Sequence, residues 1–244
     1  MNKEAILITG ASSDIGCEII RQIAGNNSII LAHYNQSGEK IKKMQQEVDS
    51  QIIPIKADLF NEEEILGLID FIKKNYDFPD KIIHLPAVKL NYIRFKDIKW
   101  ADFQKDIDLQ LRSIILILKE FLPLMAKDKK GKVVFVLSSC TLNIPPKALT
   151  HYTAVKYAML GLSRALASEY ADTGININAV SPSMIETGFL ANIPQKLVEL
   201  NAQASPLKRN AQVGDVVPLI KFLLSDSSDY ITGANIPVSG GSVF

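Results

Sequence analysis

The sequence predicts a single α/β domain built on a doubly wound, mostly parallel, seven-stranded sheet with helices on both faces. Apolar strand-like runs alternate with helical patterns almost from end to end of the 244 residues, which is the sequence form of repeated βαβ units. These runs are nearly continuous in Ile, Val and Leu, as expected of parallel strands buried on both faces. The length fits one larger domain, and no Pro/Gly-rich linker divides the chain.

The predicted elements follow one another in strict alternation until the sixth strand. The predicted strands are 5–9, 28–34, 51–56, 81–85, 132–138, 175–180 and 235–238. The predicted helices are 15–24, 39–48, 62–74, 101–126, 152–171 and 213–224. The least patterned stretch, 183–207, follows the sixth strand and is interpreted as a candidate substrate lid.

Composition and charge exclude several classes of partner. The formal net charge is +1, and without long runs of like charge neither nucleic acid nor an anionic membrane is expected to bind, which leaves a small-molecule substrate. Cys17 and Cys140 form neither a disulfide framework nor a metal cluster, so we expect no metal site and a reducing compartment. The longest apolar run, 114–118, is too short to span a membrane. A cytoplasmic protein is therefore predicted.

The first predicted strand runs into a turn of small residues, 9–16, and then a helix. Such a turn lets backbone N–H groups approach a diphosphate at the positive end of the helix, although a plain structural turn is the alternative. Asp14 stands where a glycine is usual; it can cap the helix but disfavours a diphosphate. The candidate nucleotide contacts here are Gly10, Ser12, Ser13, Asp14 and Ile15.

The end of the second predicted strand, 33–37, bears on the choice of nucleotide. An acidic residue at this place would bind the adenosine ribose hydroxyls and repel a 2′-phosphate. None occurs before Glu39, which favours NADP(H) over NAD(H), with Tyr34 and Asn35 as candidate contacts. His33 is interpreted first as a buried strand histidine with satisfied hydrogen bonds.

The third predicted strand is followed by Asp58 and Leu59. This position would place them near the adenine of a bound nucleotide, where Asp58 could meet the amino group. A helix-capping role for Asp58 fits the sequence about equally well.

Tyr152 and Lys156 are the candidate proton-transfer pair, because residues four apart in a helix lie on one face. A nearby ammonium is expected to lower the tyrosine pKa from its usual value of about 10, so that the phenol can exchange a proton with a carbonyl or alcohol oxygen. Tyr92 and Lys96 have the same spacing. Only Tyr152 follows a strand ending in two serines and begins an apolar helical pattern, so Tyr92 is interpreted as a half-buried loop aromatic.

Taken together, these motifs resemble the short-chain dehydrogenase/reductase family, with its Rossmann-like fold, over essentially the whole chain. The turn 9–16 is similar to the family's cofactor turn, and Ser139 with Tyr152 and Lys156 resembles its catalytic set. The segment 181–187 resembles the family's nicotinamide segment. The C-terminal stretch 230–241 is similar to that of the 3-oxoacyl-acyl-carrier-protein reductase branch.

The resemblance implies hydride transfer between nicotinamide and a carbonyl or alcohol carbon, with Tyr152 as acid or base. Lys156 would lower the Tyr152 pKa and bind the nicotinamide ribose, and Ser139 would hold the substrate oxygen. The interval of thirteen residues before Tyr152 favours Ser139, whereas counting along the strand from Gly131 favours Ser138. The remaining implied contacts to the cofactor are Asp58, Leu59, Ala87, Pro182, Ile185 and Thr187.

The sequence departs from the family pattern at several supporting positions. Gln110 falls where the family has a catalytic asparagine and would keep an amide there. Pro86 interrupts the segment after the fourth strand, and Ser183 replaces a glycine after Pro182. Thr173 stands where carrier-protein reductases tend to have an arginine.

Three functions follow from the resemblance and its departures. The first is an NADP(H)-dependent reductase whose leading candidate substrate is a 3-oxoacyl thioester; the second acts on a sugar or another specialised-pathway alcohol. The third, from a different class, is a catalytically silent nucleotide-binding regulator. By resemblance we expect a homodimer or homotetramer that pairs through helices 101–126 and 152–171 and the final strand.

Overall fold

Seven parallel strands form one sheet in the computed structural model, which describes residues 3–243. Their order is β3-β2-β1-β4-β5-β6-β7, and every neighbouring pair is parallel. The chain therefore winds outward from β1 to β3 and then, from β4, in the opposite direction, as predicted. The strands are β1 Glu4–Thr9, β2 Ser28–Tyr34, β3 Gln51–Lys56, β4 Lys81–His84, β5 Gly131–Val136, β6 Ile175–Pro182 and β7 Asn235–Val238.

Helices cover both faces of this sheet and enclose two apolar cores. Successive side chains of a strand point to opposite faces, so Leu7 of β1 joins one core while Ile6 and Ile8 join the other. The helices are α1 Asp14–Ile23, α2 Gly38–Glu47, α3 Glu62–Tyr76, α4 Trp100–Asp106, α5 Ser113–Asp128, α6 Thr150–Glu169, α7 Gln195–Ala204 and α8 Val213–Leu223. Helices α3, α5 and α6 pack on the first face, and α1, α2 and α8 on the second.

Two regions differ from the predicted elements. The predicted helix 101–126 is two α-helices, α4 and α5, joined by a π-helical turn, Ile107–Arg112. Such turns insert a residue into a helix and often occur at functional sites. The unpatterned stretch 183–207 contains α7, which buries Val198 but leaves Leu197 and Leu200 exposed; its apolar stripe is too weak to reveal a helix.

The turn after β1 is held in shape by two glycines. Gly10 has a φ of 74°, a conformation that favours glycine. A Cβ on Gly16 would lie 2.5 Å from the carbonyl oxygen of Ala11, so only glycine lets α1 begin this close to the turn. Among residues 3–243, no helix is long and apolar enough to cross a membrane.

Candidate active site

A cavity of about 1000 Å³ lies at the carboxyl ends of the strands, where the winding reverses between β1 and β4. This is the place where doubly wound sheets bind their ligands. The side chains of Tyr34, Asp58 and Gln110 are not part of the cavity wall, unlike the other predicted site residues. Those in the wall are Gly10, Ser12, Ser13, Asp14, Ile15, Asn35, Leu59, Ala87, Ser139, Tyr152, Lys156, Pro182, Ile185 and Thr187.

The N-terminus of α1 forms one end of the cavity. Its cap is Ser13, whose hydroxyl accepts a hydrogen bond from the Gly16 N–H at 3.1 Å. The expectation that Asp14 would be the cap is therefore wrong: Asp14 is the first helical residue. Its side chain instead contacts Lys40 of α2 and the backbone of Gly188.

His33 fixes the position of the turn, and the interpretation of a buried, satisfied histidine is confirmed. Its Nδ1 accepts a hydrogen bond from the Gly10 N–H at 3.0 Å, so its Nε2 carries the proton and donates to the Ala57 carbonyl, also at 3.0 Å. Burial lowers the pKa of His33 to about 4. The neutral ring thereby ties the turn after β1 to the end of β3.

Asp58 and Tyr34 are not in the cavity wall, although their chain neighbours Leu59 and Asn35 line it. The Asp58 carboxylate accepts a hydrogen bond from the Phe60 N–H at 3.0 Å and shapes the turn before α3. The cap of α3 is Asn61, which accepts from the Glu63 N–H at 2.9 Å. The capping role considered for Asp58 is therefore wrong, and its adenine role stays a prediction.

Tyr152 and Lys156 lie together in the first turns of α6, both almost completely buried. The Lys156 Nζ donates to the Val136 carbonyl at 2.9 Å and lies 5.6 Å from the centre of the Tyr152 ring. Tyr92, by contrast, is 38% exposed in a loop, although it also lines the cavity. Lys96 lies in a separate 3₁₀ turn, so this second pair shares no helix.

The electrostatics of the pair differ from the sequence expectation. Burial raises the pKa of Tyr152 above its usual value, and a hydrogen bond with the Ser138 side chain offsets only part of this rise. Burial also lowers the pKa of Lys156 to about 8. The expected lowering of the tyrosine pKa is therefore wrong, because the burial of the phenol outweighs the stabilisation of its charged form.

Ser138 and Ser139 both line the cavity, and their contacts distinguish them. Ser138 ends the extended segment after β5, and its hydroxyl accepts a hydrogen bond from the Cys140 N–H at 3.3 Å. The Ser138 side chain also lies close enough to Tyr152 to lower the pKa of the phenol, against the effect of burial. Ser139 begins the 3₁₀ turn that leads away from the strand. The geometry thus favours the position reached by counting along the strand.

Gln110 lies fully buried in the π-helical turn, and its amide does not reach the cavity. The Nε2 donates to Asp106 at 2.6 Å, while its backbone carbonyl lies 2.9 Å from His84 Nε2. The second His84 nitrogen, Nδ1, accepts from the Thr9 hydroxyl at 2.9 Å. Burial lowers the pKa of His84 to about 3, with the charge of Lys156 adding to the effect.

The position of Gln110 is therefore determined by residues that the sequence did not single out. His84 is a neutral link from β1 and β4 to the helix that carries Gln110. The buried Asp106 also lies 3.8 Å from His151 Nε2, and burial raises the pKa of Asp106. The only sequence signal for these contacts was His84, a histidine in an otherwise apolar strand, and such a histidine usually has a structural role.

The residues around the cavity fit a nicotinamide dinucleotide. At one end, the tight turn and the N-terminus of α1 offer backbone N–H groups to a diphosphate; at the other, Tyr152 and Lys156 face the same space. Asp14 is the unfavourable group in this set. Among residues 3–243 there is no cluster of three or more His, Cys, Asp or Glu side chains suited to a metal ion.

A doubly wound sheet with a nucleotide-type turn and a buried tyrosine–lysine pair defines the class of Rossmann-fold oxidoreductases. A family model described as "Enoyl-(Acyl carrier protein) reductase" matches residues 10–242. The chain belongs to this family and so to the short-chain dehydrogenases/reductases, whose members use a nicotinamide cofactor and act on carbonyl and alcohol groups.

Relatives match the chain over nearly its full length. It is 29% identical to 3-oxoacyl-(acyl-carrier-protein) reductase FabG of Buchnera aphidicola subsp. Baizongia pistaciae, with 98% of this chain and 97% of that protein covered. It is 30% identical to Oxidoreductase UcpA of Salmonella typhimurium, covering 97% and 93%. The structure of levodione reductase aligns with a TM-score of 0.91 at 24% identity, covering 99% of this chain and 98% of that one, which supports the fold.

Proposed function

We propose that the protein is an NADP(H)-dependent carbonyl reductase that uses Tyr152 as its proton donor. The observation that carries the proposal is the position of Tyr152 in the cavity wall, which Ser138 also lines, next to the buried Lys156. The similarity to a 3-oxoacyl-carrier-protein reductase supports the same activity. We propose Ser138 in place of Ser139 because Ser138 ends the extended segment after β5 and its side chain acts on the pKa of the phenol.

When bound, the nicotinamide supplies the hydride that the substrate carbon receives. Tyr152 then donates its phenolic proton to the carbonyl oxygen, and since burial raises its pKa it holds that proton at neutral pH. Ser138 orients the oxygen and stabilises the charge that develops on it. Lys156, fixed by the Val136 carbonyl, stabilises the phenolate left after transfer.

Cofactor contacts follow from the two ends of the cavity. At the nucleotide end the wall contains Asn35, Gln36 and Ser37 and no acid at the end of β2, which favours NADP(H). At the other end, Thr187 and the backbone of Ile185 are proposed to hold the carboxamide. Gln110 is proposed to act only through its backbone, because its side chain is bound to Asp106.

The substrate end of the cavity favours an apolar substrate. Beside Tyr152 the wall is formed by apolar side chains that pack in two small clusters, Leu90, Leu149, Met184, Phe189 and Leu190. Their burial with a hydrocarbon chain would be favourable, whereas a sugar would leave hydroxyls without partners. A 3-oxoacyl thioester or another apolar ketone is therefore the first candidate, and 183–207 is the proposed lid.

Purified protein should oxidise NADPH with apolar ketones or 3-oxoacyl thioesters, followed by absorbance. Tyr152→Phe should reduce kcat/KM by about 10²- to 10⁴-fold while NADPH affinity by calorimetry is kept. Tyr92→Phe is the matched control, since it removes a hydroxyl from the same cavity. An unchanged rate for Tyr152→Phe would refute the role, and NADPH binding without turnover of any substrate would favour the silent regulator.

We further propose a homodimer or homotetramer. Ile115 of α5 and Tyr157 of α6 have exposed fractions of 40% and 45%. These two helices are the ones through which the family resemblance predicts that this chain pairs. Light scattering at micromolar concentration should give twice or four times the mass of 27.0 kDa. The cytoplasmic location stays a proposal, to be checked by cell fractionation.

A further inference from the structure

Asp14 connects three elements that meet at the nucleotide end of the cavity. Its Oδ1 lies 3.0 Å from the Lys40 Nζ of α2. Its Oδ2 accepts a hydrogen bond from the Gly188 N–H at 2.9 Å, across a sequence separation of 174 residues. Asp14, Lys40 and Gly188 all line the cavity. One carboxylate thus joins the nucleotide turn, the second helix and the proposed lid.

The two contacts of Asp14 differ in how easily they can change. The ion pair is open to solvent, since the Lys40 and Asp14 side chains are 46% and 41% exposed, and such pairs are weak and exchangeable. The Gly188 N–H is the main reason why the pKa of Asp14 is lowered, with Lys40 contributing less. Asp14 could therefore lose Lys40 and still remain bound to the lid.

Lys40 is the basic side chain at the nucleotide end of the cavity wall. Of the described residues that line the cavity, the other lysines are Lys89, in the loop that also carries Leu90 of the substrate end, and Lys156, beside Tyr152. Asn35, Gln36 and Ser37 of the β2 end line the wall near Lys40 and bring no positive charge. Lys40 is thus the cation that this end of the wall offers to a nucleotide phosphate, and the Asp14 carboxylate already pairs with it.

We propose that Asp14 and Lys40 form an exchangeable ion pair, in which Lys40 leaves Asp14 to bind a phosphate group of the dinucleotide while Asp14 keeps the lid through Gly188. This inference rests on the proposed function. The 2′-phosphate and the diphosphate each carry about two negative charges, so either attracts the lysine more strongly than one carboxylate does and repels Asp14. Asp14 thus lowers the affinity for the nucleotide, whereas Lys40 raises that affinity.

Dissociation constants for NADPH and NADH, from fluorescence and calorimetry, test the exchange. Asp14→Asn keeps an oxygen for Gly188 but removes the charge; it should tighten nucleotide binding several-fold, with a smaller gain at high salt. Lys40→Met should weaken binding by about tenfold, by the loss of one charge-assisted contact. The control is Lys43→Met on the same helix, whose side chain is 71% exposed and pairs with Glu47; it should leave both constants unchanged.

The pattern across the two nucleotides identifies the phosphate. A loss confined to NADPH in Lys40→Met assigns the lysine to the 2′-phosphate, and an equal loss for both nucleotides assigns it to the diphosphate; either supports the exchange. Unchanged affinity in Lys40→Met, or no gain in Asp14→Asn, overturns it. If the wild-type protein binds neither nucleotide, the proposed function itself fails, an outcome that is distinguishable from these.

Limited proteolysis tests the connection to the lid. Lys196 lies exposed in α7 within the segment 183–207, and trypsin cleavage there reports opening of this segment. Asp14→Ala removes the acceptor for Gly188 and should speed cleavage several-fold, while Asp14→Asn should cleave at the wild-type rate. Equal rates in Asp14→Ala and the wild type would overturn the lid contact. Circular dichroism confirms that each variant is folded.

Discussion

Acidification should destabilise the protein through His33 and His84, which are the two buried imidazoles beside the nucleotide turn. Each ring accepts one hydrogen bond and donates another, so it is held in one neutral tautomer. Protonation of His33 would place a second N–H against an existing donor, the Gly10 N–H. Protonation of His84 would bury a positive charge and turn the Thr9 hydroxyl from its donor into its acceptor, with the hydroxyl proton moving to the Ile83 carbonyl. Burial accordingly lowers the pKa of His33 to about 4 and of His84 to about 3.

The sign and size of the effect follow from these shifts. Both pKa values are lower in the folded than in the unfolded protein, so the stabilisation is present above about pH 6.5 and is lost as the pH falls toward 4. At pH 5, about 1.5 units below the unfolded pKa, each histidine is protonated in the unfolded protein but neutral in the folded one. This difference lowers the free energy of unfolding by about 2 kcal/mol for each histidine. Together they should lower the free energy of unfolding by about 4 kcal/mol relative to pH 7.5.

Urea unfolding at a series of pH values measures this loss. His84→Asn and His33→Asn each remove one titrating group, so each variant should show about half of the wild-type decrease between pH 7.5 and pH 5, whatever its stability at pH 7.5. Comparing the two pH values within one variant isolates the effect of proton binding, because the hydrogen bonds lost on substitution are missing at both pH values. A variant that keeps the full wild-type pH dependence would refute the assignment of that histidine as buried and neutral.

Two further predictions concern the site and the turn. Ser138→Ala should lower kcat/KM by roughly 10²-fold or more, as for loss of one donor to a developing oxyanion. Ser139→Ala should change kcat/KM only a few-fold. The reverse order would show that the thirteen-residue interval to Tyr152 is the correct guide. Gly16→Ala should lower the free energy of unfolding by about 1–3 kcal/mol, because its Cβ would lie 2.5 Å from the Ala11 carbonyl oxygen. Gly67→Ala, where a Cβ meets open space, is the control in urea unfolding, and equal effects would contradict the steric argument.

The architecture could be predicted because strands buried on both faces must be apolar at every position. That constraint predicted the ends of β1 and β2 to within one residue. The π-helical turn Ile107–Arg112 could not be predicted in the same way. It widens one turn of the helix by a residue, and the residue types in it are those of an ordinary helix. Helix α7 was missed because it buries little of its surface, and so it lacks the apolar stripe that indicates a helix.

The choice between Ser138 and Ser139 shows how two sequence arguments can measure different things. The interval to Tyr152 depends on the length of the loop after β5, which can vary without affecting the sheet. Counting from Gly131 depends on the strand, which runs without interruption through β5 and so fixes which residue leaves it beside Tyr152. Our proposal therefore follows the strand count, which indicates Ser138.

The supporting residues could not be read from the sequence at all, because they come together from separate elements. His84 belongs to β4, Asp106 to α4 and His151 to α6, and only the folded chain brings their side chains toward Gln110 and Tyr152. The sequence did show that Gln110 departs from the family pattern. It could not show that the extra methylene allows the amide to bind Asp106, away from the cavity.

The burial of Tyr152 and Lys156 bears on the direction of the reaction. Desolvation disfavours both charged forms, so at pH 7 the phenol keeps its proton, while Lys156, with a pKa of about 8, is mostly charged. A neutral acid next to a cation is prepared to give a proton, because the phenolate that results gains an ion-pair partner that the phenol did not have. In oxidation the phenolate would have to exist beforehand, in a pocket that raises its pKa. We therefore expect the side chains of the site to be, at pH 7, in the protonation states that the proposed reduction of a carbonyl requires.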